Sequence, residues 1–173
     1  GAPEPHTREL AGEWLDEDPA MYTPVLNPRI APDGEHVLYT TGSYLMLVDI
    51  GGELGDRITA VYGVSVEDED GNPAENTWKI GLAEFVAGEE MDRYDGFWWA
   101  PDSQHVLFES FDTADEPTWY ISDPADPEKP DAGRRYPRAL TRNADVYLTV
   151  ITLAFDENDR YAGITEIGRA SCR

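Results

Sequence analysis

The sequence predicts an all-β fold, and three observations carry that prediction. The first is an internal repeat. Ala31-Pro32-Asp33-Gly34-Glu35-His36-Val37-Leu38-Tyr39 recurs as Ala100-Pro101-Asp102-Ser103-Gln104-His105-Val106-Leu107-Phe108. Each copy reads as strand, tight turn, strand: Pro presets the turn, Asp can bond the backbone ahead of it, and Gly or Ser closes it. The second is the run of short apolar and β-branched segments bounded by turn residues, the pattern of propeller blades. The third is spacing. The copies start 69 residues apart, longer than a bare blade of roughly 40 to 50 residues, so an insertion sits on the scaffold. The expected fold is a partial β-propeller of about two to three blades carrying a short helical Glu-Glu insertion.

In chain order, Gly1 to Pro19 is acidic and proline-bearing, and reads as a frayed connection docked by Trp14. Ser43 to Ile50 is an apolar strand ending at Gly51-Gly52, and Arg57 to Val61 is the next strand. Val64 to Asn76 reads as an acidic loop, and Gly81 to Met91 as a short helix projecting from the sheet edge. Thr118 to Asp123 continues the second repeat copy as Ser43 to Ile50 continues the first. Pro124 to Pro137 reads as a proline-rich loop, and Val146 to Ala154 as a long β-branched strand. Residues 166–173, EIGRASCR, match one reading frame of a common sequencing adapter. The expected division is therefore a connection over 1–26, an incomplete propeller domain over 27–165, and an adapter-derived tail over 166–173. Two blades cannot close a propeller, and open sheets leave exposed edges, so the chain reads as a fragment.

Composition excludes several classes. Asp and Glu number 35 against 13 Lys and Arg, a net charge of -22. That surface repels nucleic acid and anionic membranes, so neither is an expected partner. An apolar content of 40% suits a globular protein. No apolar run reaches the length of a membrane span and the first residues carry no signal-peptide pattern, so localisation stays open. Only Lys79 and Lys129 are lysines, a bias that fits a GC-rich genome or a salt-adapted host. Cys172 is the only cysteine, so neither an internal disulfide nor a cysteine-rich zinc site is expected. Three scattered histidines, His6, His36 and His105, give no metal-ligand spacing, and no cofactor is expected. His36 and His105 hold equivalent repeat positions and are expected to share a packing role. No G-x-S-x-G elbow is present, Ser43 precedes bulky strand residues, and no catalytic residue is assigned.

The candidate substrate-binding residues are Glu89 and Glu90. Two adjacent carboxylates repel each other, and stripping water from them costs energy unless a cation arrives. A substrate ammonium answers with short, charge-assisted hydrogen bonds. A free amino terminus carries such a group at a fixed distance from the second peptide bond, so an anchored pair would measure out two residues. The plainer reading is a solvated acidic patch, since Asp115-Glu116 and Asp156-Glu157 are also adjacent acids. Phe97, Trp98 and Trp99 read as core. Asp92 and Arg93 are expected to form a local ion pair, and Glu84 to lie on the helix surface.

The order Ala83-Glu84-Phe85, Glu89-Glu90-Met91, Asp92-Arg93, Phe97-Trp98-Trp99, Pro101-Asp102 resembles the propeller segment of the dipeptidyl peptidase IV family of serine exopeptidases. Asp112 to Pro117, Trp119 to Pro124, Arg135-Tyr136-Pro137 and Asn143 to Val146 follow in family order. Leu140 stands where a glycine is usual, and Phe111-Asp112-Thr113 loosens one motif. The resemblance covers about Asn27 to Leu153. It implies an eight-bladed propeller followed by an α/β-hydrolase domain holding Ser, Asp and His, none of which is in this chain. It also implies that Glu89 and Glu90 hold the amino terminus of a peptide losing an Xaa-Pro or Xaa-Ala dipeptide. The expected partners are thus peptide N-termini and that hydrolase domain, with homodimerisation of the intact protein left open. The family's substrate-carbonyl arginine has no match here; Arg8 is nearest in order, but its surroundings differ. Two other readings stand beside this one. An internally cleaving oligopeptidase would gain nothing from a fixed ammonium site, while a non-catalytic binding propeller or pseudo-peptidase shares every feature of this chain.

Overall fold

A computed structural model describes residues 24–50, 57–72, 74–122, 124–125 and 132–171. His6, Arg8, Trp14, the Gly51-Gly52 turn, Lys129 and Cys172 lie outside the described residues. The first sheet is an antiparallel meander of β1 (Leu26–Ile30), β2 (His36–Thr40), β3 (Tyr44–Asp49) and β4 (Arg57–Gly63), in that order. Register pairs Leu38 with Leu47 and Val48 with Ile58. Because strand side chains alternate, Leu38, Leu45, Leu47 and Val61 face one way, and Tyr39, Met46 and Val48 the other.

The second sheet is built from β5 (Trp78–Ile80), β6 (Phe97–Trp99), β7 (His105–Asp112), β10 (Asp145–Phe155) and β11 (Tyr161–Ser171). Its order is β11-β10-β7, and β5 and β6 lie end to end along the other edge of β7. Ile80 pairs with Ser110 and Phe97 with Phe108. The chain therefore leaves this edge after Ile80 and returns two register positions away at Phe97. Between them lies an excursion that carries helix α1 (Phe85–Glu90). The helix is shorter than the Gly81 to Met91 expectation.

Two expectations are corrected. Thr118 to Asp123 was to continue the second repeat within its sheet, and Pro124 to Pro137 was to be loop. Instead β8 (Thr118–Ile121) pairs with β9 (Ala132–Arg135) as a separate two-stranded hairpin, and β10 takes the place beside β7. The reason is length and pattern. β10 runs 11 residues and matches β7 from Asp145↔Asp112 to Thr152↔His105, burying Thr149, Ile151 and Leu153. A four-residue segment cannot compete for that edge. β11 extends through residues 166–171, pairing Arg169 with Thr149 beyond a register shift between Ile151 and Val150.

The sheets pack face to face. Leu38, Leu45, Leu47 and Val61 meet Ile80, Phe97, Val106, Phe108, Ile151 and Leu153 in one cluster. Each large side chain so buried is worth about 1.5–3 kcal/mol. Polar pins cross the seam. Thr40 Oγ1 donates to Ile80 O at 2.5 Å and accepts from Gly42 N at 2.9 Å, while Ile80 N donates to Gly42 O at 2.9 Å. The two repeat turns also touch, Asp33 N donating to Ser103 Oγ at 2.9 Å. Gly34 and Ser103 share a left-handed backbone (φ 85° and 58°). Strain at a non-glycine residue is tolerated there because its hydroxyl bonds the neighbouring turn. Asp102 accepts from His105 N and Gln104 N and pairs with the His105 ring at 2.6 Å, which together hold its carboxyl down at about 2.

The two histidines do not share a role. His36 is 1% exposed, packs at a tilt against Phe155 with centroids 4.3 Å apart, and its Nε2 lies 3.1 Å from Asp159 O. The His105 side chain is 38% exposed. Equivalent sequence positions end up in unlike places because only the first lies against the β10–β11 turn.

Candidate functional site

The excursion from Gly81 to Gly96 holds the candidate pair. Its neck is two glycines, one pressed against backbone and the other, in a left-handed conformation, against core side chains. A Cβ on Gly96 would sit 2.3 Å from Leu82 C, and one on Gly81 (φ 70°) would sit 2.7 Å from Leu45 Cδ2. A bridge between Leu82 and Asp95 closes the neck. Both sides then bond to one residue of β7: Gly81 N donates to Glu109 O at 2.8 Å, and Glu109 N donates to Gly96 O at 2.7 Å.

Helix α1 starts at Glu84, whose carboxylate accepts from Ala87 N at 2.6 Å and Val86 N at 2.8 Å. Glu84 is thus a capping residue, half-buried, and the surface role expected for it is corrected. Ala87 is the buried residue of the helix. Glu89 and Glu90 end it, both exposed, with no basic residue in the last turn. Among the described residues neither carboxylate has an ion pair or a hydrogen bond. Acids are favoured at a helix start, where the dipole is positive; here they sit at the negative end, where a cation would be favoured.

Arg93 pairs with Glu109 at 2.7 Å and not with Asp92, which takes a left-handed turn conformation (φ 54°). That corrects the local pair expected from sequence. Arg93 also donates from Nη1 to Asp95 O at 3.0 Å, and its backbone N donates to Ala87 O at 3.0 Å. Glu109 is 2% exposed and accepts from Glu84 N at 2.9 Å through its other oxygen. Phe97 is core and Trp99 packs on it, donating from Nε1 to Arg29 O at 3.2 Å. Trp98 corrects the core expectation. It is 36% exposed on the opposite face of β6 and lies 6.0 Å from the Arg93 guanidinium. With Arg93, Leu107, Val146 and Leu148 it lines a cleft of about 500 Å³.

The excursion has further contacts besides those to β7. Arg29 of β1 pairs with Asp95 at 2.7 Å, Asn27 donates to Tyr94 O at 3.3 Å, and Phe85 meets Tyr136 edge-on at 4.7 Å. Beside Phe85 a cavity of about 710 Å³ is lined by Lys79, Phe111, Glu116 and Arg135. Burial pushes the Glu116 carboxyl up, against opposing pulls from Ala144 N–H and Arg135. Arg135 itself binds Glu75 and the carbonyls of Thr113, Ala114 and Glu116. Among the described residues, no group of three or more His, Cys, Asp or Glu is placed to hold a metal ion, and no helix is long and apolar enough to cross a membrane.

Two stacked four-position sheets, with an acidic helix breaking the edge strand of the second, agree with a comparison across known families. The profile of the dipeptidyl peptidase IV (DPP IV) N-terminal region matches residues 14–169. The chain belongs to the dipeptidyl peptidase IV family. Dipeptidyl peptidase 8 of Homo sapiens is 23% identical over 151 residues, 82% of this chain and 16% of that protein. Its Mus musculus counterpart is 24% identical over 141 residues, 76% of this chain and 15% of that protein. The crystal structure of Porphyromonas gingivalis dipeptidyl peptidase 4 superposes with a TM-score of 0.60 at 21% identity, over 83% of this chain and 18% of that one. The chain thus has the fold of the dipeptidyl peptidase IV propeller region and spans under a fifth of these relatives.

Within this dipeptidyl peptidase IV propeller region, sequence reasoning missed Glu109. A signal existed: a carboxylate directly after Val106-Leu107-Phe108 sits in a strand that buries both faces, and such a charge demands a cation. The cation is Arg93, which sequence had paired with Asp92. The tie between Arg29 and Asp95 had no such signal, since its partners lie 66 positions apart and both side chains are partly exposed.

Proposed function

We propose that this chain is the substrate-recognition propeller portion of a serine exopeptidase that releases Xaa-Pro or Xaa-Ala dipeptides from peptide amino termini. Glu89 and Glu90 bind the substrate α-ammonium. One observation carries the reading: two exposed carboxylates without a described partner stand at the negative end of a helix on a braced insertion. A local rule broken at one site on an otherwise consistent scaffold points to function. The pair contributes positioning, holding the amino terminus so that the second peptide bond lies at a fixed reach. A hydrolase domain supplies the Ser-His-Asp chemistry on that bond, the serine attacking the carbonyl while histidine accepts its proton. Family membership supports this division of labour.

The test is a titration of the chain with alanyl-prolinamide and with its N-acetyl derivative, followed by amide NMR shifts. Binding of the free amine in about the millimolar range is expected, and acetylation should abolish it. Glu89→Gln or Glu90→Gln should each cost about 2 kcal/mol, since the remaining carboxylate keeps an incomplete ammonium site. Equal binding of the acetylated peptide, or unchanged affinity in both variants, would discard the proposal.

A further inference from the structure

We infer that Glu109 is the positioning residue that sets where Glu89 and Glu90 stand, an inference that rests on reading the pair as an ammonium site. Four of its hydrogen-bonding contacts go to the excursion. Its backbone O accepts from Gly81 N and its backbone N donates to Gly96 O, which ties both sides of the neck to β7. Its side chain reaches past the neck to both ends of the helix. Oε1 accepts from Glu84 N at 2.9 Å, and Oε2 meets Arg93 Nη2 at 2.7 Å. Glu84 and Arg93 bracket α1, and each passes the constraint inward. The Glu84 carboxylate caps Val86 and Ala87, and Arg93 N closes on Ala87 O. One buried carboxylate thereby fixes the height and the rotation of a helix that buries only Ala87 of its own.

Stability does not account for this choice of residue. A charge pair with one member buried loses in desolvation much of what it gains in attraction, and apolar residues of like volume would hold as well. What the pair supplies is direction, because a carboxylate with two fixed donors admits a single pose. The other ties are poorer at this: Arg29–Asp95 is 47% and 38% exposed, and such pairs yield readily to water. Direction matters since Glu89 and Glu90 project from adjacent helix positions, about 100° apart, and a small rotation moves one of them away from a shared ammonium.

The experiment reads amide hydrogen exchange over residues 86–93 together with alanyl-prolinamide affinity, in the wild-type chain, Glu109→Gln, Arg93→Met and Arg93→Lys. Glu109→Gln keeps the shape, the backbone bonds and an acceptor for Glu84 N, but removes the charge from Arg93. It should speed exchange over 86–93 at least tenfold and weaken the amine about tenfold. Resonances of β2 and β3 should stay in place, so that the affinity is that of folded protein. Arg93→Met should behave alike, and serves if Glu109→Gln does not fold; Arg93→Lys should retain most of the binding. Faster exchange with unchanged affinity would overturn the inference, as Glu109 would then act on stability alone. Unchanged exchange in both Glu109→Gln and Arg93→Met would overturn it too. If the wild-type chain fails to distinguish the free amine from its acetylated form, the ammonium reading falls. Exchange over 86–93 then decides by itself whether Glu109 positions the helix.

Discussion

Replacing Gly96 with alanine should destabilise the chain severely, while the same change at Gly88 should stabilise it. At Gly96 an added Cβ falls 2.3 Å from Leu82 C and 2.4 Å from Leu82 N and O, where ordinary contact begins at 3.4 Å. The two sides of the neck must separate by about 1 Å, since backbone atoms cannot rotate away as a side chain would. That motion works against the Leu82–Asp95 bridge and the bond from Glu109 N to Gly96 O. Overpacking costs about 1–3 kcal/mol and each lost bond about 1 kcal/mol, for a total of about 3–5 kcal/mol. A domain of this size has about 5–15 kcal/mol to lose. Gly88 lies within α1, and the nearest atom to its Cβ would be Arg93 O at 3.9 Å. Alanine fits there and gains about 0.5–1 kcal/mol from reduced backbone freedom in the unfolded chain. Urea unfolding followed by tryptophan fluorescence reads both, because Trp98 and Trp99 adjoin the neck. A Gly96→Ala variant within 1 kcal/mol of wild type, or a Gly88→Ala variant as unstable as Gly96→Ala, would refute the closed neck.

Two further outcomes follow from buried polar groups. Thr40→Val keeps the volume but strips the hydroxyl that links Ile80 O and Gly42 N. It should lower stability by about 1–3 kcal/mol, measured by the shift in urea midpoint at constant slope; a neutral substitution would mean that the pin is not formed. Glu116→Gln should stabilise the chain at pH 7 and not at pH 4. Burial raises the folded carboxyl above its ordinary 4.5, so the charged form burdens the native state. That burden is absent below 4.5 and grows as pH rises through the folded value. Midpoints of variant and wild type that differ equally at both pH values would contradict it.

The parts of this protein legible in its sequence were local ones. The repeated Pro-Asp turns fold as read because Pro, Asp and Gly or Ser dictate a turn within four residues. β4 and β10 follow the β-branched runs, and the existence of an insertion follows from the excess between repeats. The misreadings share a cause, which is competition decided across the fold. Thr118 to Ile121 has strand composition, yet nothing within it says whether β7 or Ala132–Arg135 will be its partner. His36 and His105 sit in near-identical nonapeptides, and one is buried only because a turn 123 positions later lies against it. Arg93 had an acid beside it in sequence and chose another on β7, because Asp92 takes the left-handed turn that carries the chain away.

Of the candidate site, the sequence alone determined the chemistry: two adjacent acids, on a short insertion, inside a family motif. It could not say that no described cation answers them, or that Glu84, Arg93 and Glu109 join to hold the helix they end. Those facts belong to the tertiary structure for a physical reason. Charge and turn propensity are properties of neighbouring residues, whereas desolvation and pairing depend on which distant strand is packed behind them. Glu109 became the anchor because β7 passes beneath both sides of the neck, which the fold alone decides.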